Sequence, residues 1–301
     1  MLKRTIITAS LLFSTTVLAS GNPCLSDLDH KIGILYICGY GGKFKVLSLS
    51  RCHLEDKDMP QVAAYLKNHP RVNALDLGQN DLGENAMNAF TDNKSLAWLN
   101  VSYNKIGDKG AAAIANISSL TDLEIIASNI TDVGATAIAG MHLRTLYAFI
   151  NKIGAAGAEA FAKNTSLALL NLDMNYVGTS GAIAFANNTS LTHLYLGWDN
   201  VDDVAAVALA KNPRLIELGL EYNNVHDEGA IALAANTTLR WLYLHNNKLG
   251  PAGIKAIEEN TTLIEGTTDV EEGVKPGYPL HKIINSNNNV KGKAADYECP
   301  A

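Results

Sequence analysis

The sequence of 301 residues contains little charge and a slight excess of acid. Charged residues make up 18% of the chain, with 30 Asp and Glu against 24 Lys and Arg, and the net charge is −6. A nucleic-acid binder needs a basic surface to displace counterions from phosphates, and anionic membranes attract the same kind of surface. The composition therefore predicts no nucleic-acid partner and disfavours docking on a membrane.

Cysteine, proline and tryptophan are also scarce, with 4, 8 and 3 residues. So few cysteines exclude a small disulfide-dense scaffold, and the composition is neither collagen-like nor that of a coiled coil. Apolar residues nevertheless make up 47% of the sequence. The chain can therefore build a large core, which excludes global disorder.

Residues 1–19 have the features of an export signal. Lys3 and Arg4 precede an apolar run that ends at a small-residue cleavage site, Ala19. The run is shorter than the roughly 20 residues that span a bilayer. We therefore expect a cleaved signal peptide, no membrane insertion after cleavage, and a periplasmic or secreted protein. Loss of the two basic residues takes the net charge from −6 to −8.

The body of the chain is a tandem repeat with the pattern L-x-x-L-x-L-x-x-N-x-I/L. Its successive intervals are 24 residues long, apart from a first one of 28 and a later one of 23. The repeats begin at Phe44, Val72, Leu96, Leu120, Leu143, Leu167, Leu191, Leu215 and Leu239. Positions within a repeat are numbered from these residues below.

Each half of the repeat predicts one structural element. Positions 4 and 6 are apolar and alternate with variable residues, as in a short strand. The strand ends at position 9, where a buried side-chain amide can bond to backbone groups of its own turn and the neighbouring turn. Position 9 is occupied by Cys52, Asn80, Asn104, Ser128, Asn151, Asn175, Asp199, Asn223 and Asn247. The second half is rich in Ala and Gly, which predicts a short helix close to the sheet, with caps at Asp108, Asp132, Thr179 and Asp227.

One such unit cannot bury its own apolar face, whereas stacked copies share a continuous core. We therefore predict an α/β leucine-rich-repeat solenoid, right-handed, with a parallel sheet on the concave side and short helices on the convex side. The predicted organisation is a signal peptide over 1–19, an amino-terminal cap over 20–43, nine repeats over 44–265, and a carboxy-terminal cap and tail over 266–301.

The repeat also resembles particular families. Its long first interval and the motif N-x-I-G-D-x-G-A look like the ribonuclease-inhibitor branch of leucine-rich repeats. The segments GAAAIA, GATAIA, GAEAFA, GAIAFA and GAIALA are similar to the GALA-type repeats of effectors from plant-pathogenic bacteria, and to repeat proteins of intracellular pathogens such as Legionella. The resemblance covers residues 32–265 and implies a protein-binding effector whose partner is host-derived. GALA effectors also carry an amino-terminal F-box. Residues 20–43 are too short for that module, so we expect no role as a ubiquitin adaptor.

Positions 3, 5, 7 and 8 are expected to face solvent on the concave sheet. All three Trp fall at these positions, and exposed aromatic clusters are typical of protein-binding hot spots. The predicted binding residues are Trp98, Tyr103, Asp122, Glu124, Tyr147, Phe149, Asp173, Tyr195, Trp198, Glu217, Glu221, Tyr222, Trp241 and Tyr243. The alternative interpretation is that the aromatic side chains stack between strands and stabilise the sheet.

Charge at the same positions is one-sided, because Asp76 and five of the predicted residues are acidic and Arg51 is the only Lys or Arg. An acidic surface attracts a basic partner, although it can also serve solubility alone. The leading hypothesis is a monomeric, exported interaction module that binds a basic protein or peptide and acts on a host. The alternative is a periplasmic or surface structural protein whose exposed Trp and Tyr stack on carbohydrate.

Catalytic motifs such as H-E-x-x-H, C-x-x-C, G-x-S-x-G and the Walker loop are missing. His193 and His245 face the same side but are separated by about 10 Å across the strands and about 13 Å along them, too far to share one metal ion. Asp122 and Glu124 have the spacing of some hydrolase carboxylate pairs, yet an open sheet is a poor place to raise one pKa. We predict no enzyme activity, no metal and no cofactor.

The four cysteines allow three disulfide connectivities. Cys24 and Cys38 flank the predicted cap, which favours a disulfide between them. Cys52 is explained by its place at position 9, and Cys299 either ties back the tail or stays free.

Overall fold

The structure, a computed structural model, describes residues 22–37 and 42–267. The predicted signal peptide, Cys38, Cys299 and residues 268–301 of the predicted tail lie outside the described residues. Within the described part of the chain, no helix has both the length and the apolar character needed to cross a membrane.

The strands of the described residues form one sheet of eleven, and each strand lies beside its neighbours in the sequence. The first two strands pair antiparallel, and each later pair is parallel with one repeat aligned on the next. The strands are β1 (Ile32–Ile37), β2 (Gly42–Ser48), β3 (Ala74–Asp76), β4 (Trp98–Asn100), β5 (Asp122–Glu124), β6 (Thr145–Tyr147), β7 (Leu169–Asn171), β8 (His193–Tyr195), β9 (Glu217–Gly219), β10 (Trp241–Tyr243) and β11 (Glu265–Thr267). The antiparallel β1 shows that the chain before Gly42 is not a further repeat.

Short helices alternate with the parallel strands. The α-helices of the described residues are α1 (Met59–Asn68), α2 (Gly107–Ile114), α3 (Asp132–Ala139), α4 (Ala155–Ala162), α5 (Gly178–Ala184), α6 (Asp203–Leu209), α7 (Asp227–Ala234) and α8 (Pro251–Glu258). Short 3₁₀ helices occupy Pro23–Leu25, Asp29–Lys31, Asp56–Asp58, Ala86–Phe90 and Phe185–Asn187. Helices α2 to α8 begin at position 12 or 13 of their repeats, and their Ala and Gly residues let them lie close to the sheet.

One continuous core lies between the sheet and the helices. The leucines at positions 4 and 6, such as Leu218 and Leu220, are fully buried in it. The core extends from Leu25, before the first strand, to Ile257 in α8. This arrangement of parallel strands, helices and a shared core confirms the predicted solenoid.

The predicted row of asparagines at position 9 is confirmed. Asn80 accepts hydrogen bonds from the backbone N–H groups of Cys52 and Leu54, and it donates to the carbonyls of Leu49 and Leu77. Its side chain therefore forms hydrogen bonds with backbone groups of both the preceding turn and its own turn. Bonds of the same kind recur at Asn104, Asn151, Asn175, Asn223 and Asn247.

The aspartates expected to cap their own helices bind the next helix instead. Asp108 accepts hydrogen bonds from the N–H groups of Thr131 (2.8 Å) and Gly134 (3.0 Å), at the start of α3. Position 13 lies inside its own helix, and in α3 it is Thr131, at position 12, that caps through its side chain. The expected capping role is therefore wrong for these residues, because each carboxylate points at the free N–H groups of the neighbouring repeat.

This inter-repeat contact recurs along the array and forms a second row of polar bonds. Besides Asp108, it is made by Asp56, Asp132, Asp203 and Asp227. Thr179, the remaining predicted cap, is the second residue of α5, which has no side-chain cap. An acidic group near a helix amino terminus is also favoured by the helix dipole.

The predicted pairing of Cys24 with Cys38 is wrong, because Cys24 forms a disulfide with Cys52. Side chains at position 9 point towards the preceding turn, and for the first repeat that place is taken by the segment around Cys24. Asn22 holds the segment there by donating a hydrogen bond to the Cys52 carbonyl (2.8 Å). The disulfide therefore joins the segment that precedes the repeats to the first repeat.

Candidate binding face

The concave face, meaning the side of the sheet turned away from the α-helices, is more closely packed than the sequence indicates. Five predicted binding residues are buried, namely Trp98, Asp122, Tyr147, Phe149 and Asp173. Neighbouring parallel strands lie about 4.8 Å apart, so large side chains at the same position of adjacent repeats cover one another. The expectation that these five residues face solvent is therefore wrong.

Two apolar patches account for the buried aromatic side chains. The first joins Phe44, Val46, Ala74 and Trp98, and the second joins Ile126, Tyr147, Phe149 and Leu169. Both lie apart from the main core. For Trp98, Tyr147 and Phe149, the packing favours the alternative interpretation, in which aromatic residues stabilise the sheet.

The acidic charge of the face is partly neutralised within the protein. Asp122 is buried, and Arg144 donates to both of its carboxylate oxygens at 3.1 Å. Arg144 stands at position 2, and its side chain nevertheless reaches this aspartate. The charges at positions 3, 5, 7 and 8 alone therefore do not give the net charge of the face.

Burial also shifts the ionisation of Glu124. Loss of solvent and, to a smaller extent, the nearby negative charge of Asp76 together raise the pKa of its carboxyl to about 7, against a hydrogen bond from Trp98. This end of the face is therefore less negative at neutral pH than its composition indicates.

Asp173 and Glu221 lie two repeats apart, on either side of Gly197. A Cβ atom at Gly197 would lie 3.2 Å from Oδ1 of Asp173 and 3.3 Å from Oε2 of Glu221, so the missing side chain gives both carboxyls their space. Burial raises the pKa of Glu221 to about 8, with a contribution from the charge of Asp173. Burial raises the pKa of Asp173 to about 6, although hydrogen bonds from Gly197 and Asn171 favour its charged form.

A polar cluster lies beside these carboxyls on β8 and β9. The Tyr195 hydroxyl donates to Glu217 at 2.6 Å, and Nε2 of His193 lies 3.6 Å from the same carboxylate. Burial lowers the pKa of His193, against the attraction of Glu217, and burial also lowers the pKa of His245. Both histidines therefore favour the neutral form at neutral pH.

The exposed aromatic surface lies on the later repeats. Trp198 is 46% exposed and stacks on Tyr222 with ring centroids 4.1 Å apart. Tyr222 in turn meets the edge of His245 at 5.5 Å. Trp241 and Tyr243 are half-buried on β10. The structure therefore brings together the predicted residues of the later repeats and leaves Tyr103, which is 40% exposed, several repeats away.

Position 8 has a backbone conformation that the sequence pattern does not indicate. All nine repeats place this residue in the left-handed region, with φ between 49° and 62°. The residues are Arg51, Gln79, Tyr103, Ala127, Ile150, Met174, Trp198, Tyr222 and Asn246. Two of them, Ile150 and Met174, are 38% and 37% exposed. They were not among the predicted binding residues, because those were chosen for aromatic or acidic side chains.

Among the described residues, no group of three or more His, Cys, Asp and Glu side chains is placed to hold a metal ion. The functional groups on the concave face include aromatic rings, aliphatic side chains, carboxyls and imidazoles. These groups can stack, pack and attract cations.

Comparisons with known proteins agree with this architecture. Residues 92–115, 187–210, 211–234 and 235–257 match a family model described as Leucine Rich repeat. A search of curated proteins gives no match. The resemblance to the ribonuclease-inhibitor and GALA-type branches stays a prediction.

Two similar solved structures are internalins of Listeria monocytogenes. Internalin C2 (inlC2) is 20% identical, with 74% of this chain and 80% of that chain covered and a TM-score of 0.47. An internalin named inlF is 19% identical, with 69% of this chain and 63% of that chain covered and a TM-score of 0.52. The present chain thus spans less than two thirds of inlF, and the likeness concerns the fold alone. The repeated strands and helices, the asparagine row and the four matched segments identify this fold as a leucine-rich-repeat solenoid.

Proposed function

We propose that this protein is an exported, non-enzymatic interaction module that binds a basic protein or peptide on its concave face. The observation that carries the proposal is the stack of the exposed Trp198 on the half-buried Tyr222, which lies beside a group of carboxyls that includes Glu221. Tryptophan and tyrosine contribute large contact areas in binding hot spots. The exposure of Trp198 contrasts with the burial of Trp98, Tyr147 and Phe149 in earlier repeats.

A basic partner fits the ionisation of these carboxyls. Asp173 and Glu221 have raised pKa values because burial disfavours their charged forms. A Lys or Arg side chain next to them would favour the charged forms and release protons. His193 and His245 are the histidines of this part of the face, and their lowered pKa values keep them from competing as cations near neutral pH.

Export is supported by the disulfide between Cys24 and Cys52, since such bonds persist in oxidising compartments. Together with the signal-like residues 1–19, it favours a periplasmic or secreted protein. We also propose that the protein is a monomer and an effector with a host-derived partner, on the resemblance of its repeats to those of pathogen effectors.

The experiment is a pull-down from candidate host lysates, comparing the wild type with Trp198→Ala/Trp241→Ala. The control is Tyr176→Ala, which removes an aromatic residue that is more exposed than Trp198 and stands at position 10, outside the concave face. We expect the double variant to lose partners that the wild type and the control retain. Recovery of the same partners by all three proteins would show that the concave face is not the binding site.

Ionic strength separates the two candidate partner classes. The exposed Trp198 ring could also stack on a sugar, which is the alternative function. Binding of a basic protein weakens as salt screens its charge, and it strengthens between pH 6 and 8.5 as Asp173 and Glu221 ionise. Binding that is insensitive to both salt and pH supports carbohydrate and contradicts the basic partner.

A further inference from the structure

We infer that the side chains at position 8 form a docking ridge for an amphipathic helix of the partner. The ridge consists of Tyr103, Ala127, Ile150, Met174, Trp198 and Tyr222, one residue from each of six successive repeats. The apolar stripe of the helix would lie along the ridge, and its basic residues would face the half-buried carboxyl of Glu221 at position 7. This inference rests on the proposed function and names the form of the partner.

The backbone fixes the spacing of the ridge. The N–H group of each ridge residue donates to the position-7 carbonyl of the next repeat, as from Ile150 to Asp173 (3.0 Å) and from Trp198 to Glu221 (2.9 Å). The parallel hydrogen-bond pattern thus continues past the strands to position 8. Adjacent ridge residues are therefore held about one strand spacing apart, about 4.8 Å.

The side chains on the ridge lower the stability of the isolated protein. A left-handed backbone is unfavourable for non-glycine residues, and especially for a β-branched one such as Ile150. Water contact with Ile150, Met174 and Trp198 adds an exposed apolar row. Asparagine would fit this backbone better and leave no apolar surface, as Asn246 does in the ninth repeat. Strain combined with apolar exposure is typical of a functional surface.

The spacing favours a helix over an extended chain. Six ridge residues span about 24 Å at about 4.8 Å per repeat. A helix advances about 5.4 Å per turn, so it can present one residue per turn to each repeat, and about 16 residues cover the ridge. Side chains on one face of an extended chain are about 6.7 Å apart and fall out of step within two repeats. The half-buried Ala127 leaves room for a larger side chain of the helix.

The carboxyl next to the ridge indicates that the partner helix is also basic. Glu221 immediately precedes the ridge residue Tyr222 in the sequence and is half-buried, whereas Asp173, which precedes Met174, is buried. Lysine or arginine on the matching flank of the helix would approach Glu221. The partner segment is therefore apolar on one stripe and basic beside it.

Three fluorescent 16-residue peptides with the same Leu and Lys content test the inference. The first has Leu at helical spacing on one stripe, the second alternates Leu and Lys as a strand would, and the third distributes Leu around a helix without a stripe. We expect the first to bind to the full chain about tenfold more tightly than the others, measured by fluorescence anisotropy, which corresponds to about 1.4 kcal/mol. Equal or tighter binding of the second or third peptide overturns the inference.

Matched variants locate the contact. Ile150→Asn/Met174→Asn removes two ridge side chains while suiting the left-handed backbone, so its thermal stability should equal or exceed that of the wild type. The control, Val133→Asn/Val204→Asn, removes two exposed apolar residues from α3 and α6. The ridge variant should weaken binding of the striped peptide about tenfold, and the control should leave it unchanged.

The outcomes separate this inference from the proposed function. If Glu217→Gln/Glu221→Gln weakens peptide binding and the ridge variant does not, the peptide does not dock on the ridge. The concave face then remains the proposed binding site. If the striped peptide does not bind at all, docking of a helix on the ridge is also wrong. The proposed function is then decided by the Trp198→Ala/Trp241→Ala pull-down, which depends on no peptide.

Discussion

The carboxylate of Asp132 accepts a hydrogen bond of 2.9 Å from the backbone N–H group of Gly157, which lies 25 residues later in the next repeat. The same carboxylate oxygen accepts from Gly154 at 2.6 Å. Small residues in the second half of the repeat thus do more than bring the helix close to the sheet. They let a charged group of one repeat reach the helix start of the next.

Replacing Gly157 should therefore disrupt the contact between repeats. In Gly157→Ala, the added Cβ atom would lie 2.8 Å from Oδ1 of Asp132 and 2.6 Å from a methyl carbon of Ile153. We expect the free energy of unfolding to fall by about 1–3 kcal/mol, as for other overpacked sites. Urea denaturation measures the change.

The matched control is Gly140→Ala. There the nearest atom to the added Cβ is the carbonyl oxygen of Ala137 at 3.5 Å, and φ is −75°. This variant should be neutral or more stable by up to about 1 kcal/mol, because alanine restricts the unfolded chain. Equal losses in the two variants would contradict the role of the Asp132 contact.

Asp199 replaces asparagine in the position-9 row and should make stability depend on pH. It is fully buried, and burial raises its pKa to about 8, with the charge of Asp173 adding to the shift. The folded state therefore binds a proton that the unfolded state releases near pH 4, so this residue's contribution to stability declines as pH rises from about 4 to 8. Its Oδ2 atom has no hydrogen-bond partner among the described residues.

Asp199→Asn should raise the free energy of unfolding by about 1–3 kcal/mol at pH 8, because the amide can donate to backbone carbonyls as Asn223 does. The gain should shrink towards pH 4. Denaturation curves between pH 4 and 9 check this, and the reciprocal variant Asn223→Asp should show the opposite trend. A gain that is independent of pH would refute the assigned titration.

The pair of Asp122 and Arg144 offers a separate test of buried charge. Arg144→Met leaves Asp122 with the Thr121 hydroxyl but without its cation, and we expect a loss of about 3–5 kcal/mol. Asp122→Asn in the same background should recover part of that loss, since it removes the unpaired charge. A double-mutant cycle in urea measures the coupling, and independent effects would show that the two residues do not stabilise each other.

The Cys24–Cys52 disulfide should stabilise the amino-terminal end of the array. Cys24→Ser should lower the free energy of unfolding by about 2–4 kcal/mol, because the bond closes a loop between residues 28 positions apart. Hydrogen exchange should increase first around Leu25 and Leu49. Dithiothreitol should reproduce the effect in the wild type and have none in the variant, and an unchanged wild type would show that the bond contributes nothing.

Much of the fold could be predicted from the sequence, because the repeat imposes the same requirements many times. Leucine at positions 4 and 6 fixes the face of each strand, and asparagine at position 9 fixes the turn. The disulfide could not be predicted in the same way. It depends on where the non-repeating segment near Cys24 packs, and no periodicity specifies that.

The exposed residues of the concave face were harder to predict, because the exposure of a side chain depends on the side chains of the neighbouring repeats. Trp98 and Trp198 both belong to positions expected to face solvent, yet only Trp198 is exposed, since Trp98 packs with Phe44 and Val46. The partner of Asp122 was missed because a long Arg144 side chain reaches it from position 2. The left-handed backbone of Ile150 could not be predicted from the pattern of apolar residues, because that pattern does not depend on φ.

The backbone at position 8 is uniform although the side chains there differ. Its φ angle varies little between repeats whose residues are as different as Ala127 and Trp198, and the N–H group of each makes the same bond to the next repeat. A substitution there changes the exposed surface and keeps this backbone hydrogen bond between repeats. The surface can therefore be varied one repeat at a time, which makes these positions suited to a designed library.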